Sequence, residues 1–169
     1  MNSKLGDILF YILLFILQII LNDLINLGPY VYLCIFPLII INLPMEWGAG
    51  KSMIAAFIIG LLLDMLSDGV LGLNAAASVL IAAARLPLYK LTINGNTTDQ
   101  IPTPSIKSAG LGKYINFVSI LYALFLIVYV FFDCLGFRPF LFVLLKIVIS
   151  TAASVLLTVI ISFTFLNRN

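Results

Sequence analysis

The sequence predicts an all-α integral membrane protein, organised as a single bundle of six transmembrane helices. Of its 169 residues, 63% are hydrophobic and only 9% are charged, and the mean hydropathy is +1.20. Soluble domains are about half apolar and about a quarter charged, and a chain this short could not bury so much apolar surface in its own core. The bilayer must therefore solvate most of the chain, which excludes a soluble enzyme, a disordered protein and a disulfide-stapled secreted domain.

Six apolar segments approach the length of about 20 residues that a spanning helix needs. They are residues 5–26, 30–43, 52–67, 70–91, 114–133 and 139–166. The first resembles a signal peptide, but no small-residue cleavage site follows it, so we expect a retained span. The second is the weakest, because Pro37 interrupts it and Pro44 ends it. If this second segment is re-entrant, the bundle has five spans and the N-terminus lies outside.

The connections between these segments are short, except for residues 92–113, which are polar and rich in turn-forming residues and predict a cytoplasmic loop. With six spans and a cytoplasmic N-terminus, Arg138 is the one basic residue outside, as the positive-inside rule requires. The basic residues inside are then Lys4, Lys51, Lys90, Lys107, Lys113 and Arg168. We therefore expect both termini in the cytoplasm.

The sequence contains none of the common catalytic or metal-binding motifs. Histidine is absent, which removes the commonest general base and imidazole ligand. Cys34 and Cys134 lie in apolar sequence without a spacing motif and are interpreted as small apolar residues. Nine basic and seven acidic residues are too few for a nucleic-acid surface. We expect no catalytic residue, no metal, no cofactor and no nucleic-acid partner.

Polar residues recur at helical spacing in the first and last spans. Gln18, Asn22 and Asn26 form one ridge on the first span, and a similar stripe on the sixth consists of Ser150, Ser154 and Thr158. Each set either forms a face for a partner helix or packs against a neighbouring span of the same chain. Ala75, Ser78 and Ala82 form a third set, of small residues on the fourth span, with the same two interpretations.

Three of the charged residues inside the predicted spans need a specific interpretation. Asp64 ends the third span, where the helix dipole disfavours an anion. It either caps the exposed amides of the fourth helix, near Leu73 and Asn74, or serves as an ion-pair partner, a proton site or a substrate contact. Lys146 either extends to the outer interface or pairs with Asp64. Arg85 is expected to extend to the inner interface.

Residues 60–75 read GLLLDMLSDGVLGLNA. This stretch resembles the rod shape-determining protein MreD family, which shows a G-L-x-x-D pattern, a short turn and a restart similar to G-x-x-G-x-x-A. Gly60, Asp64, Gly69 and Gly72 match that pattern. The chain length and the number of spans are also similar to those of the family.

The resemblance implies a non-enzymatic component of the bacterial elongation machinery, the elongasome, in the inner membrane. On this basis the partners are MreC, then RodA and its transpeptidase, and indirectly MreB. The resemblance also implies a fold similar to the S-component of energy-coupling-factor transporters, with the matched residues forming an outer turn near a periplasmic partner. The competing function is that of an S-component, which would bind a vitamin in an outer-facing cavity. Its polar groups would come from Gln18, Asn22, Asn26, Asp64 and Lys146.

Overall fold

A computed structural model describes residues 3–24, 28, 30–67, 70–93, 104, 106–134 and 138–165. Within these ranges the chain is helical and contains no strand. The helices are α1 (Ser3–Leu24), α2 (Pro37–Ile41), α3 (Ala49–Leu66), α4 (Leu73–Thr92), α5 (Ile106–Ala109), α6 (Leu111–Asp133) and α7 (Phe140–Phe165). Of these, α3, α4, α6 and α7 are long and apolar enough to cross a membrane, which agrees with a helical membrane bundle.

The second predicted span is not a transmembrane helix. Residues 31–36 form irregular chain, and only Pro37–Ile41 are helical. The reason is local, because Pro37 has no amide hydrogen and is favoured in the first turn of a helix rather than inside one. The other five predicted spans each coincide with one helix, with ends that shift by less than a turn. Within the predicted loop 92–113, α5 and the first turn of α6 are helical, and residues 94–103 and 105 lie outside the described residues.

Helix α6 is the centre of the bundle and packs against α2, α4, α5 and α7. Aromatic rings make several of these contacts. Tyr129 stacks on Tyr32 with ring centroids 4.4 Å apart, and Phe117 meets Tyr89 edge-on at 5.9 Å. Such ring pairs fix the relative position of two elements more strictly than aliphatic contact does, because stacked and edge-on geometries are preferred.

Helices α3 and α4 form an antiparallel pair whose backbones touch at Gly60. A Cβ atom added to Gly60 would lie 2.7 Å from the Cα atom of Ala75 and 2.9 Å from the backbone oxygen of Asn74. A side chain of any size is therefore excluded, and the small residues at this crossing allow the close approach. Ala75, Ser78 and Ala82 are all buried within the chain, so this set of small residues packs internally.

We expect a Gly60→Ala substitution to destabilise the protein by about 2 kcal/mol, because the added methyl group must push two helix backbones apart. Gly50→Ala is the matched control, since Gly50 lies on the same helix with nothing within 4 Å of its added Cβ. That change should be neutral, or stabilise the helix by up to about 1 kcal/mol. Equilibrium unfolding in mixed micelles measures both, and equal effects would contradict the close contact.

Candidate functional site

The side chain of Asp64 caps the N-terminus of α4. Its Oδ2 atom accepts hydrogen bonds from the amides of Gly72 at 3.0 Å and Ala75 at 3.1 Å. Its Oδ1 atom accepts bonds from the amide of Asn74 at 3.1 Å and from the Asn74 side chain at 2.9 Å. Asp64 is 2% exposed. The first amides of a helix have no partner within the helix, so a carboxylate from α3 supplies the acceptors that α4 lacks.

The turn before α4 depends on Gly72, whose φ is +94°. This left-handed conformation is accessible to glycine at little cost, and it turns the Gly72 amide towards Asp64. Gly60 brings the two helices close enough for the carboxylate to reach the amides. Three residues predicted as a motif therefore form one structural unit, which we call the α3–α4 corner: Gly60, Asp64 and Gly72. The fourth predicted residue, Gly69, lies outside the described residues.

The predicted ion pair between Asp64 and Lys146 is wrong. The Nζ atom of Lys146 lies 2.9 Å from an oxygen of Asp133, and this pair is partly exposed. Helix α7 packs mainly against α6, so Lys146 meets the last residue of α6, whereas the oxygens of Asp64 are occupied by α4. Arg138, near the start of α7, lies over the ring of Phe142 at 5.1 Å.

The backbone of the irregular segment 31–36 forms hydrogen bonds with side chains of α1 on one side and of α7 on the other. On the α1 side, Oε1 of Gln18 accepts bonds from the amides of Ile35 at 2.6 Å and Phe36 at 3.0 Å. The Gln18 amide group donates to the oxygen of Leu33 at 3.2 Å and to Asn22 at 2.8 Å. Backbone groups without a helix or sheet are tolerated at membrane depth only where the protein itself satisfies them.

The other side of segment 31–36 is held by α7. The hydroxyl of Ser150 accepts a bond from the amide of Tyr32 at 2.8 Å, and that of Ser154 accepts one from Cys34 at 3.0 Å. One turn further on α7, the Thr158 hydroxyl donates at 2.6 Å to the Tyr122 hydroxyl. Tyr122 then donates to the oxygen of Ile35 at 3.3 Å. The polar stripe of α7 therefore stabilises the irregular segment.

The predicted partner face is thus wrong for the residues whose side chains are fully buried and bonded within the chain. These are Gln18, Ser150, Ser154 and Thr158. Asn22 is half-buried against Gln18, and Asn26 lies outside the described residues. The alternative interpretation, packing against the same chain, is the one found for the buried four. Their spacing correctly indicated that they share a polar face. The spacing alone did not indicate that this face forms hydrogen bonds with the backbone of segment 31–36.

We expect Gln18→Leu to destabilise the protein by about 2 kcal/mol, because the two amides and one carbonyl that it serves lose their partner in an apolar environment. Gln18→Glu tests the same site differently, since a carboxylate keeps the acceptors for Ile35 and Phe36 but lacks the donor for Leu33. Leu17→Gln is the control on the exposed side of α1. Unfolding in mixed micelles should show a larger loss of stability for Gln18→Leu than for Leu17→Gln. Equal losses for these two variants would contradict the assigned bonds.

Arg85 is a buried hydrogen-bond donor at the end of α2, a role that the sequence analysis did not predict. Its guanidinium donates to the backbone oxygens of Ile40 at 3.0 Å, Leu43 at 2.6 Å and Pro44 at 3.1 Å. It also donates to the Ser52 hydroxyl at 3.1 Å. The residue is 0% exposed, so the prediction that it extends to the interface is wrong. The reason is that α2 ends inside the bundle, and its last carbonyls have no partners within the helix.

A signal for this role was present in the sequence. Pro37 and Pro44 bracket a helix too short to cross a membrane, so its carbonyl end had to lie near other protein groups. Arg85 is the only arginine in the apolar segments and carries five donors in a rigid fork. What the sequence could not indicate is that α4 places this fork beside the end of α2.

Five buried side-chain polar atoms have no hydrogen-bond partner among the described residues, including the hydroxyls of Tyr32 and Tyr89 and the Nε atom of Arg85. The other two are close to the α3–α4 corner. They are the Oδ1 atom of Asn74 and the hydroxyl of Ser78, which lie one turn apart on α4. In the same part of the chain no group of three His, Cys, Asp or Glu residues is placed to hold a metal ion. Cys34 and Cys134 are free and buried.

Comparisons of this chain with protein-family models, curated proteins and solved structures found no match. The geometry itself therefore has to indicate the function. One kind of interaction recurs at three places in the bundle. A buried polar side chain forms hydrogen bonds with several backbone groups of an element other than its own, as seen for Asp64, Gln18 and Arg85. Buried polar groups that bond to a second element in this way favour one arrangement of helices.

Proposed function

We propose that this chain is a non-enzymatic scaffold of the bacterial elongation complex in the cytoplasmic membrane. It binds MreC and supports peptidoglycan synthesis by RodA and its transpeptidase, with an indirect link to MreB, and so contributes to the control of cell shape. The observation that carries the proposal is the α3–α4 corner. Three of the four residues on which the MreD resemblance rests act together there, as a glycine contact, a carboxylate cap and a left-handed turn.

The surface of the bundle supports a role that depends on helix contacts within the membrane. Gln18, Asp64 and Arg85 are buried and bonded within the chain. The exposed faces of α1 and α7 carry large apolar side chains, such as Ile16 and Leu156. A helix such as the single membrane span of MreC packs on such faces through van der Waals contact. The partner surface is therefore apolar rather than the predicted polar ridge.

The path of segment 31–44 supports six membrane crossings with both termini in the cytoplasm. Gln18, in the second half of α1, contacts residues 33–36. Arg85, in the second half of α4, contacts residues 40–44. Ile8 and Ile12, in the first half of α1, lie beside residues 42–44, so segment 31–44 runs antiparallel to α1 and passes from one end of the bundle towards the other. A reporter enzyme fused to the N-terminus tests the assignment, and a periplasmic signal would refute it.

The function is tested by co-purification and crosslinking with MreC from the same cell. In a chain with Cys34 and Cys134 replaced by alanine, cysteine is placed at Ile16 and Leu156 on the exposed faces, and at Ser154 as a buried control. We expect MreC to co-purify and to crosslink from at least one exposed position but not from Ser154. The absence of MreC from both assays would refute the proposal.

The second candidate function is that of a vitamin-binding S-component of an energy-coupling-factor transporter. The observation that favours it is the pair of unpartnered atoms on Asn74 and Ser78, which could bond a small polar ligand. Mass spectrometry of the purified protein after denaturation would reveal a bound vitamin. A vitamin together with a co-purifying ATPase module would replace the scaffold as the assigned function.

A further inference from the structure

An apolar groove of about 430 Å³ lies between α1, α2 and α3. One face of α1 forms its first wall, and Ile59 and Leu62 of α3 form the opposite wall. The α1 residues that line it are Ile8, Tyr11, Ile12 and Phe15. Apart from the Tyr11 hydroxyl, the polar side-chain group of the lining is the amide of Asn42, which donates to the oxygen of Leu38. The groove is therefore an apolar site within the bundle.

The groove lies beside residues 8–15 of α1, whose lining side chains are less buried than Gln18 one turn later. The α1 face that lines the groove continues one turn later as Gln18, which is bonded to the irregular segment. Leu14 and Gln18 are buried, whereas Ile8 and Ile12 are 57% and 51% exposed. Tyr11 and Phe15 of the lining pack against the core, whereas the exposed side chains of Ile8 and Ile12 leave the groove open sideways to the membrane.

The size and lining of the gap restrict what can fill it. Water is excluded because an ordered water needs two to four polar partners, and an empty gap forfeits the dispersion contacts of its lining. A partner helix could place only about one turn in the groove, since one turn of a cylinder about 10 Å across and 5.4 Å high already occupies about 420 Å³, whereas an extended acyl chain is much thinner. We propose that the groove is a binding site for one acyl chain of a membrane phospholipid.

The position of Lys51 indicates which leaflet supplies that lipid. Lys51 lies in the first turn of α3 and is exposed. It precedes Leu62 by eleven residues, which on a helix is close to three full turns and places both on the same face. The axial distance between them is about 16 Å, close to the thickness of one leaflet, which is about 15 Å. A lipid with its chain in the groove therefore places its phosphate beside the Lys51 ammonium. In the proposed topology Lys51 is on the cytoplasmic side, so the lipid comes from the cytoplasmic leaflet.

The test uses tryptophan fluorescence and phosphatidylglycerol with brominated acyl chains, which quench a nearby indole ring. Trp47 is the only tryptophan, so Trp47→Phe gives a silent background. Phe15→Trp then reports from the groove, and Leu156→Trp reports from the exposed face of α7. Ile12→Trp is a second groove reporter in case Phe15→Trp does not fold. Each protein is reconstituted in brominated lipid and then diluted into excess unbrominated detergent.

In the bilayer we expect quenching of all reporters, and after dilution only the groove reporters should remain quenched. Lys51→Gln should then release the lipid about fivefold faster, since one basic residue near an anionic headgroup contributes on that order. Glu46→Gln, in the turn before α3, is the matched change of charge at the same end and should not accelerate release. Equal recovery at Phe15→Trp and Leu156→Trp would overturn the proposal. Recovery of an apolar molecule other than a phospholipid from the purified protein would also overturn it.

Discussion

An Asp64→Ala variant is expected to lose about 4 kcal/mol of stability, because three buried backbone amides and one side-chain amide lose their acceptor at once. The amides of Gly72, Asn74 and Ala75 belong to the first turn of α4, and no other described side chain caps that helix. Loss of the cap should separate α4 from α3. Equilibrium unfolding in mixed micelles measures the effect.

Three variants test whether the loss comes from the cap itself. Asp64→Asn keeps one acceptor oxygen, so it should retain part of the stability that Asp64→Ala loses. Asp133→Asn removes an aspartate at the same end of the bundle that makes a partly exposed pair with Lys146, and such pairs contribute at most about 1 kcal/mol. The double reversal Asp64→Lys with Lys146→Asp should not rescue either single change. Rescue by that reversal would contradict the capping role of Asp64.

An Arg85→Leu variant is expected to be destabilised by a similar amount, about 4 kcal/mol, because several buried carbonyls at the end of α2 lose a charged donor. The affected oxygens belong to Ile40, Leu43 and Pro44. Since these residues connect α2 to α3, the loss should loosen the whole α2 region. Native-state hydrogen exchange of the amides in residues 37–52 would report this local opening.

Arg85→Lys separates the charge of the side chain from its geometry. An ammonium has three donors rather than a planar fork of five, so this variant should recover only part of the lost stability. Lys90→Gln is the control, because Lys90 is an exposed cation on the same helix. Full recovery with lysine would show that charge alone matters, and no difference between leucine and arginine would contradict the assigned hydrogen bonds.

The sequence predicted the helices of this protein well because the membrane imposes a strong local rule. A segment that crosses hydrocarbon as a helix is apolar over most of its length, and that property can be read from the residues themselves. For this reason α3, α4, α6 and α7 were placed to within a turn. The prolines of the second segment likewise indicated a weak helix, although the prediction still assigned it a span. The capping role of Asp64 was one of two interpretations that followed from its position at a helix end.

The partners of the buried polar groups could be decided only by the tertiary structure. Asp133 and Lys146 meet through the register between α6 and α7, and Arg85 meets α2 across more than 40 positions of the chain. A polar residue at membrane depth must find a partner, so the sequence by itself determined that Gln18, Asp64 and Ser154 needed one, whereas it predicted that Arg85 extends to the interface. The identity of each hydrogen-bond partner depends on how the helices pack. That packing is driven by apolar residues, which are not the residues that form the hydrogen bonds.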